Sequence, residues 1–153
     1  MRISVSSDMD EPVARLVVAE LRRRGHRVRE HGALRPGADA RWAACSEAAA
    51  RDVAEGLAEQ AVVCCWTGTG ASIAANKVPG VRAALCTDAA TADGARRWND
   101  ANVLALSLRL VSEPVLKEIL DAWFAAEPST DPEDVRNVAR VGRLDAVRKD
   151  SQA

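Results

Sequence analysis

Charge imbalance is nearly missing from this chain of 153 residues. Its 21 lysines and arginines stand against 22 aspartates and glutamates, a net charge of −1. That balance gives no general pull toward nucleic acid or an anionic membrane surface. Apolar runs are short too: none approaches the roughly 20 residues that span a bilayer. The chain enters a strand-like segment, Arg2 to Ser6, at once. It shows no signal-peptide profile there, so a cytoplasmic protein is expected. No internal repeat is evident. Histidine is scarce, with only His26 and His31, which flank an expected strand and read as surface or loop residues rather than ligands. The four cysteines lack zinc-ligand spacing, and Cys64 and Cys65 are adjacent. Neither a metal site nor a disulfide framework is expected from them, and no cofactor is implied. Cys45, Cys64 and Cys86 fall in apolar surroundings, where free cysteine behaves as a small hydrophobe.

What the sequence does have is the stretch Ala61 to Lys77. An apolar run, Ala61 to Cys64, reads as a buried strand. Thr67, Gly68, Thr69 and Gly70 then turn the chain into Ser72-Ile73-Ala74-Ala75, which reads as the first turn of a helix. A strand, a glycine turn and a helix start in that order make an anion cradle, because glycine lets backbone approach a ligand and helix N–H groups favour negative charge. Cys65 is expected at the mouth of this turn, where the helix dipole favours a thiolate. An inert buried thiol is the alternative.

Around that stretch the chain alternates strand and helix. Strands are expected at Arg2–Ser6, His26–His31, Ala61–Cys64, Val81–Cys86 and Asn102–Leu106. Helices are expected from Pro12 to Gly25, from Trp42 to Leu57, after Gly70, from Ala89 to Arg97 and from Pro114 through Trp123. Pro128 and Pro132 interrupt, and Asp131 is a candidate cap for a last charged helix carrying Val135, Val138 and Val141. The implied fold class is α/β: a doubly wound, Rossmann-like α/β/α domain over residues 1–127 with a five-stranded parallel sheet. A C-terminal helical extension over 128–153 follows, expected to pack on a partner subunit, with a frayed tail as its rival. If the strand order is 2-1-3-4-5, ligands bind where that order reverses, between strands one and three. Asp8 and Cys65 would meet there.

The run from Cys65 through Thr67, Gly68, Gly70, Ser72 and Ser-Ile-Ala-Ala-Asn-Lys77-Val-Pro-Gly80 to Leu85, with Trp98-Asn-Asp-Ala-Asn-Val-Leu104 after it, resembles the type B ribose-5-phosphate isomerase family. That family includes the galactose-6-phosphate isomerase subunits. The likeness covers nearly the whole chain. It implies a metal-free aldose–ketose isomerase working on a sugar phosphate of the ribose-5-phosphate/ribulose-5-phosphate type through a cis-enediolate. It also implies a homodimer, or a pair of dimers, with composite sites. On the resemblance, Cys65 is the base, Thr67 serves ring opening or holds the sugar's ring oxygen, and Gly68, Gly70 and Ser72 cradle the enediolate. Asp8 would bind a sugar hydroxyl, unless it only shapes its turn. Asn99 would orient the enediolate oxygens, Asp100 would bind or brace, and Arg109, Arg136 and Arg140 would face phosphate.

Departures from the family pattern are part of the reading. Met9 and Trp98 stand where the family carries histidines, Trp66 where it carries glycine, and Trp42 where a tyrosine borders the sugar. Pro132 replaces one of two arginines spaced four apart, which removes charge-assisted bonds to phosphate. Tryptophan faces pack on apolar faces of sugar rings, so an isomerase or epimerase of an altered or larger sugar, or of one without phosphate, is a second reading. A non-catalytic sugar-binding or phosphate-binding module is a third.

Overall fold

The computed structural model of the protein describes residues 1–150. The last three positions of the expected tail, 151–153, lie outside the described residues. In chain order the elements are β1 (Arg2–Ser7), α1 (Pro12–Arg23), β2 (Arg27–Gly32), α2 (Trp42–Ala54), β3 (Gln60–Cys65), α3 (Thr69–Ala75), β4 (Ala83–Leu85), α4 (Ala89–Asn99), β5 (Val103–Ser107), α5 (Glu113–Ala125) and α6 (Pro132–Asp150). All strand pairings are parallel. Each strand returns through a helix, as a parallel sheet requires.

The sheet order is β2-β1-β3-β5-β4, which corrects the expected 2-1-3-4-5. The reason lies in the strands themselves. Every residue of β5 is buried, whereas β4 has three residues, all half-buried. A strand covered on both faces needs a continuous apolar run, so Val103 to Leu106 take the inner place and β4 the edge. At the other edge, β2 carries Arg27, Arg29 and Glu30, charges that blunt an open strand. The reversal between β1 and β3 survives the correction, because both orders share it.

Strand alternation sends side chains to two unlike layers. Ile3, Val5, Val62, Cys64, Leu104 and Leu106 pack under α1, α4 and α5 with Leu21, Leu116, Ile119, Leu120 and Trp123. On the opposite face Ala61, Val63, Cys65, Val103 and Ala105 meet Ala49, Ala50, Ala71 and Ala75 of α2 and α3. The small side chains on that face let α2 and α3 come close to the sheet. Of the four tryptophans only Trp123 is core, at 1% exposure. Its indole N–H donates to Gln60 Oε1 at 2.8 Å.

Helix ends follow the local chemistry. Pro12 opens α1, and Asp88 caps α4 by accepting the Thr91 N–H at 2.7 Å. Asp131 caps α6 as its position suggested, accepting the Glu133 N–H at 2.8 Å. Helix α6 lies against α4 of its own chain, and the Gly80 N–H donates to Asp145 Oδ2 at 2.8 Å. Helix α6 leaves Val135, Val141, Leu144 and Val147 between 44% and 63% exposed. No helix among the described residues is long and apolar enough to cross a membrane.

Candidate active site

The carboxyl ends of β1 and β3 bring the first group of residues together. Ser7 pairs with Cys64 in the parallel register, so the next residues, Asp8 and Cys65, leave the sheet side by side. The Ser7 hydroxyl donates to the Met9 carbonyl at 2.7 Å and accepts the Met9 N–H at 3.3 Å. This local turn fixes the backbone through Asp8. Met9 packs its side chain against the larger core layer.

Cys65 ends β3 and faces the small-residue layer. It is 6% exposed, so it does not stand open at the mouth of the turn as expected. Strand alternation puts it in register with Ala61 and Val63, under α2 and α3. Its Sγ accepts the Ala71 N–H at 3.4 Å, which gives charge on the sulfur a fixed donor. Gly68 precedes α3 with φ of +74°. A Cβ at Gly68 would stand 2.5 Å from Leu85 Cδ1 and 2.9 Å from the Leu106 carbonyl carbon. Both conformation and space therefore demand glycine there. A Cβ at Gly70 would meet three Trp42 ring carbons at 3.0 to 3.3 Å, so the indole lies directly over the glycine turn. Thr67 is exposed, and its hydroxyl shares a 2.8 Å hydrogen bond with that of Thr69. Ser72 is half-buried in the first turn of α3. The N–H groups of Thr69 and Gly70 have no acceptor within the helix, as at any helix start.

Asp8 carries the clearest sign of an unfilled polar role. Its Oδ1 is buried with no hydrogen-bond partner among the described residues, as are the hydroxyls of Ser6 and Ser46. Burial raises the Asp8 carboxyl above its ordinary value, a rise its own backbone N–H partly opposes. Nearby, burial and then the Asp8 charge push the Cys45 thiol up to about 11. Burial first, then the charges of Cys65 and Asp8, also raises Cys64. Orphaned polar groups cost about 1–3 kcal/mol each. Ser6 and Asp8 belong to the carboxyl end of β1, and Ser46 to α2 above it.

A second group of expected site residues sits at the other pole. Helix α4 runs antiparallel to the strands and ends beside the start of β5, where the Ala61 N–H donates to the Asn102 carbonyl at 3.1 Å. Trp98, 56% exposed, lies against Gly94 in the last turn of α4, which runs on to Asn99, past the expected end at Arg97. Asn99 is exposed. Asp100 closes the helix in a left-handed conformation and pairs with Arg82 at 3.1 Å and Arg96 at 3.6 Å, so it braces this corner. From Ala61 to Cys65 the strand rises about 13 Å, at roughly 3.3 Å per residue. The Trp98 corner and Cys65 therefore belong to opposite ends of one sheet. Arg136 and Arg140 lie on α6, which packs on α4, and Arg136 pairs with Glu133 at 2.5 Å. Arg109 belongs to the Cys65 pole, where its N–H donates to the Trp66 carbonyl at 3.0 Å. Arg109 and Arg140 are exposed and have no ion-pair partner among the described residues.

Sequence reasoning missed several features. The Ala71 amide leaves no side-chain trace. The buried Ser6 and Ser46 hydroxyls became visible only once α2 closed over β1. His31, expected at the surface, is half-buried, with Nε2 2.7 Å from Asp52 Oδ2, which also accepts the Ser4 hydroxyl at 2.5 Å.

A family model described as Ribose/Galactose Isomerase matches residues 3–144. Galactose-6-phosphate isomerase subunit LacB of Clostridium acetobutylicum is 33% identical over 145 residues, 94% of this chain and 83% of that protein. D-erythrulose-4-phosphate isomerase of Pectobacterium atrosepticum is 42% identical over 78 residues, 51% of each chain. Among solved structures, ribose-5-phosphate isomerase B of Clostridium thermocellum superposes with a TM-score of 0.88 at 33% identity, covering 97% of this chain and 99% of that one.

Proposed function

This chain belongs to the ribose/galactose isomerase family, and on that premise we propose that it interconverts an aldose phosphate and its ketose with Cys65 as the base. The observation that carries this reading is the Cys65 sulfur, held by the Ala71 N–H, at the β1–β3 reversal where Asp8 also leaves the sheet with an oxygen unpartnered among the described residues.

The open-chain aldose lies with its carbonyl oxygen toward the amides of the Gly68–Ser72 turn. The Cys65 thiolate takes the proton from C2. The C–H electron pair becomes the C1–C2 double bond, and the carbonyl pair moves onto O1. The amides hold that oxyanion, the role that preorganised donors perform best. A proton passes from O2 to O1, Cys65 returns its proton to C1, and the product is the ketose. Nothing is oxidised or reduced overall. Asp8 Oδ1 accepts a hydrogen bond from a sugar hydroxyl, and Thr67 sits beside the ring oxygen of a cyclic substrate.

The Trp98–Asn99–Asp100 corner completes the site only from a second copy of the chain. The exposed Val141, Leu144 and Val147, spaced three apart along one face of α6, are the surface we assign to that contact. In that arrangement Arg109 of one protomer and Arg136 and Arg140 of its partner grip the phosphate. A ribose-5-phosphate-type substrate is one member of a class whose named relatives act on four-, five- and six-carbon sugar phosphates.

The burial of Cys65 favours one rival, a binding module with an inert thiol. Cys65→Ala separates the two. As base, Cys65 contributes about 10²–10⁴-fold, and its loss abolishes exchange of the substrate C2 hydrogen with deuterated solvent. Exchange at the wild-type rate removes Cys65 from the mechanism.

A further inference from the structure

We infer that Ser107 is a positioning residue for the isomerisation: its buried hydroxyl fixes the reach from the Cys65 base to the phosphate-gripping Arg109. The role rests on the isomerase reading above and deepens it, since Ser107 acts through two groups of that site and touches no substrate itself. Nothing local marks Ser107 in the sequence, where it is the last residue of a buried strand.

Proton transfer from carbon needs the substrate held in place, because a misplacement of about 1 Å can cost about a hundredfold in rate. A sugar phosphate is gripped at its charged end. The distance from that grip to the base therefore sets where C1 and C2 fall. Of the three arginines assigned to phosphate, Arg136 and Arg140 lie on α6, and Arg109 alone shares an end of the sheet with Cys65. Whatever ties the Arg109 backbone to the Cys65 backbone fixes that distance within one chain.

Ser107 stands at this junction. It is the register partner of Cys65 on the neighbouring strand, about 5 Å across the sheet, and is 2% exposed. Strand alternation puts it on the face of Val103 and Ala105, which is also the face of Cys65. Its Oγ donates to the Trp66 carbonyl at 2.9 Å and accepts the Leu110 N–H at 3.2 Å. One hydroxyl thus bridges the residue after the base and the residue after the arginine. Between them, the Leu108 N–H donates to the Cys65 carbonyl and the Arg109 N–H to the Trp66 carbonyl, both at 3.0 Å. The Val111 N–H closes the turn on the Ser107 carbonyl at 3.1 Å. Leu108 and Val111 sink into the larger core layer, which leaves Arg109 and Leu110 as the exposed tip.

The hydroxyl matters because packing does not hold Trp66, whose indole is 48% exposed. The Trp66 carbonyl instead takes two donors, the Arg109 N–H and the Ser107 hydroxyl, and together they fix the tilt of the peptide leading into Thr67. That peptide opens the glycine turn, and Gly68 lies close against the Leu106 carbonyl just before Ser107. Without the hydroxyl, the Trp66 carbonyl keeps one donor and the Leu110 N–H loses its acceptor. The arginine turn and the glycine turn then shift against each other while the sheet stays intact.

The test is a double-mutant cycle of Ser107→Ala and Arg109→Ala in the full chain, read as kcat/KM. The substrate is whichever of D-erythrulose 4-phosphate, D-ribose 5-phosphate and galactose 6-phosphate the wild type turns over fastest. Ser107→Ala is expected to lower kcat/KM at least about fivefold, what one hydrogen bond contributes, and up to about a hundredfold. In the Arg109→Ala background the same change should cost less than about twofold, because the grip it positions is already gone. Ser107→Gly removes the same hydroxyl and repeats the cycle independently, and urea midpoints confirm that each variant is folded under assay conditions. A purely structural role loses the same factor in both backgrounds, and that result overturns the inference. A smaller loss than about fivefold in Ser107→Ala, or none in Arg109→Ala, overturns it too. All three leave the isomerase reading standing, since Cys65→Ala tests that separately. Turnover of none of the three sugars overturns both.

Discussion

Replacing Asp8 by asparagine separates what this residue does for stability from what it does for substrate. In the wild type, Oδ1 is buried without a partner among the described residues, and burial raises the carboxyl above its ordinary value. A folded-state value above the unfolded one means that the native protein binds the extra proton between the two. Stability therefore falls as pH rises from the unfolded carboxyl value, near 3.9, through the folded one, and stays lower above it. The asparagine side chain carries no charge and escapes that loss. Asparagine keeps an unpartnered polar atom in that place, so only the cost of burying the charge is relieved, and for a half-buried group that is at most about 1 kcal/mol. For a domain of this size that corresponds to a Tm about 2–4 °C higher at pH 7.5. Urea unfolding of both proteins at pH 7.5 and pH 4.5 reads the effect, with the gap narrowing at the lower pH. On the role proposed for Asp8, as acceptor for a sugar hydroxyl, isomerase activity should move oppositely and fall. A variant less stable than wild type at pH 7.5, or a gap that does not narrow, refutes the reasoning.

Gly68→Ala combines a left-handed backbone with a collision at the Leu85 methyl. Strain and overpacking together should cost about 2–4 kcal/mol, read as a lower urea midpoint at unchanged m-value. A loss below about 0.5 kcal/mol would show that the turn relaxes. Composite sites predict complementation between Cys65→Ala and Asn99→Ala chains, each inactive alone. Mixed by refolding, half the dimers pair one of each and carry one intact site, so about a quarter of wild-type activity returns. No recovery would place both residues in a single chain's site.

The strand–turn–helix around Cys65 was readable from the sequence because its signals are local. An apolar run, then glycines, then helix formers leave few other conformations, and Gly68 with its positive φ marks the turn. The same holds for the α/β alternation, for Asp131 as a cap and for the family likeness carried by residues 65 to 104. Strand order was not local. Val103 to Leu106 took the inner position because they bury both faces, a comparison between strands that neither segment contains alone. The depth of Cys65 was likewise decided by α2 and α3 closing over the small-residue face. So were the orphaned Asp8 oxygen and the Trp42 indole over Gly70.

The largest gap concerns Trp98, Asn99 and Asp100. Their motif is plain in the sequence, yet a parallel sheet sends the return helix back to the amino end of the next strand, a full strand length from Cys65. Sequence determined which residue types and local turns are available for chemistry, because composition and local conformation are written residue by residue. Tertiary structure alone decided which of them share an end of the sheet, because that depends on packing between segments far apart in the chain.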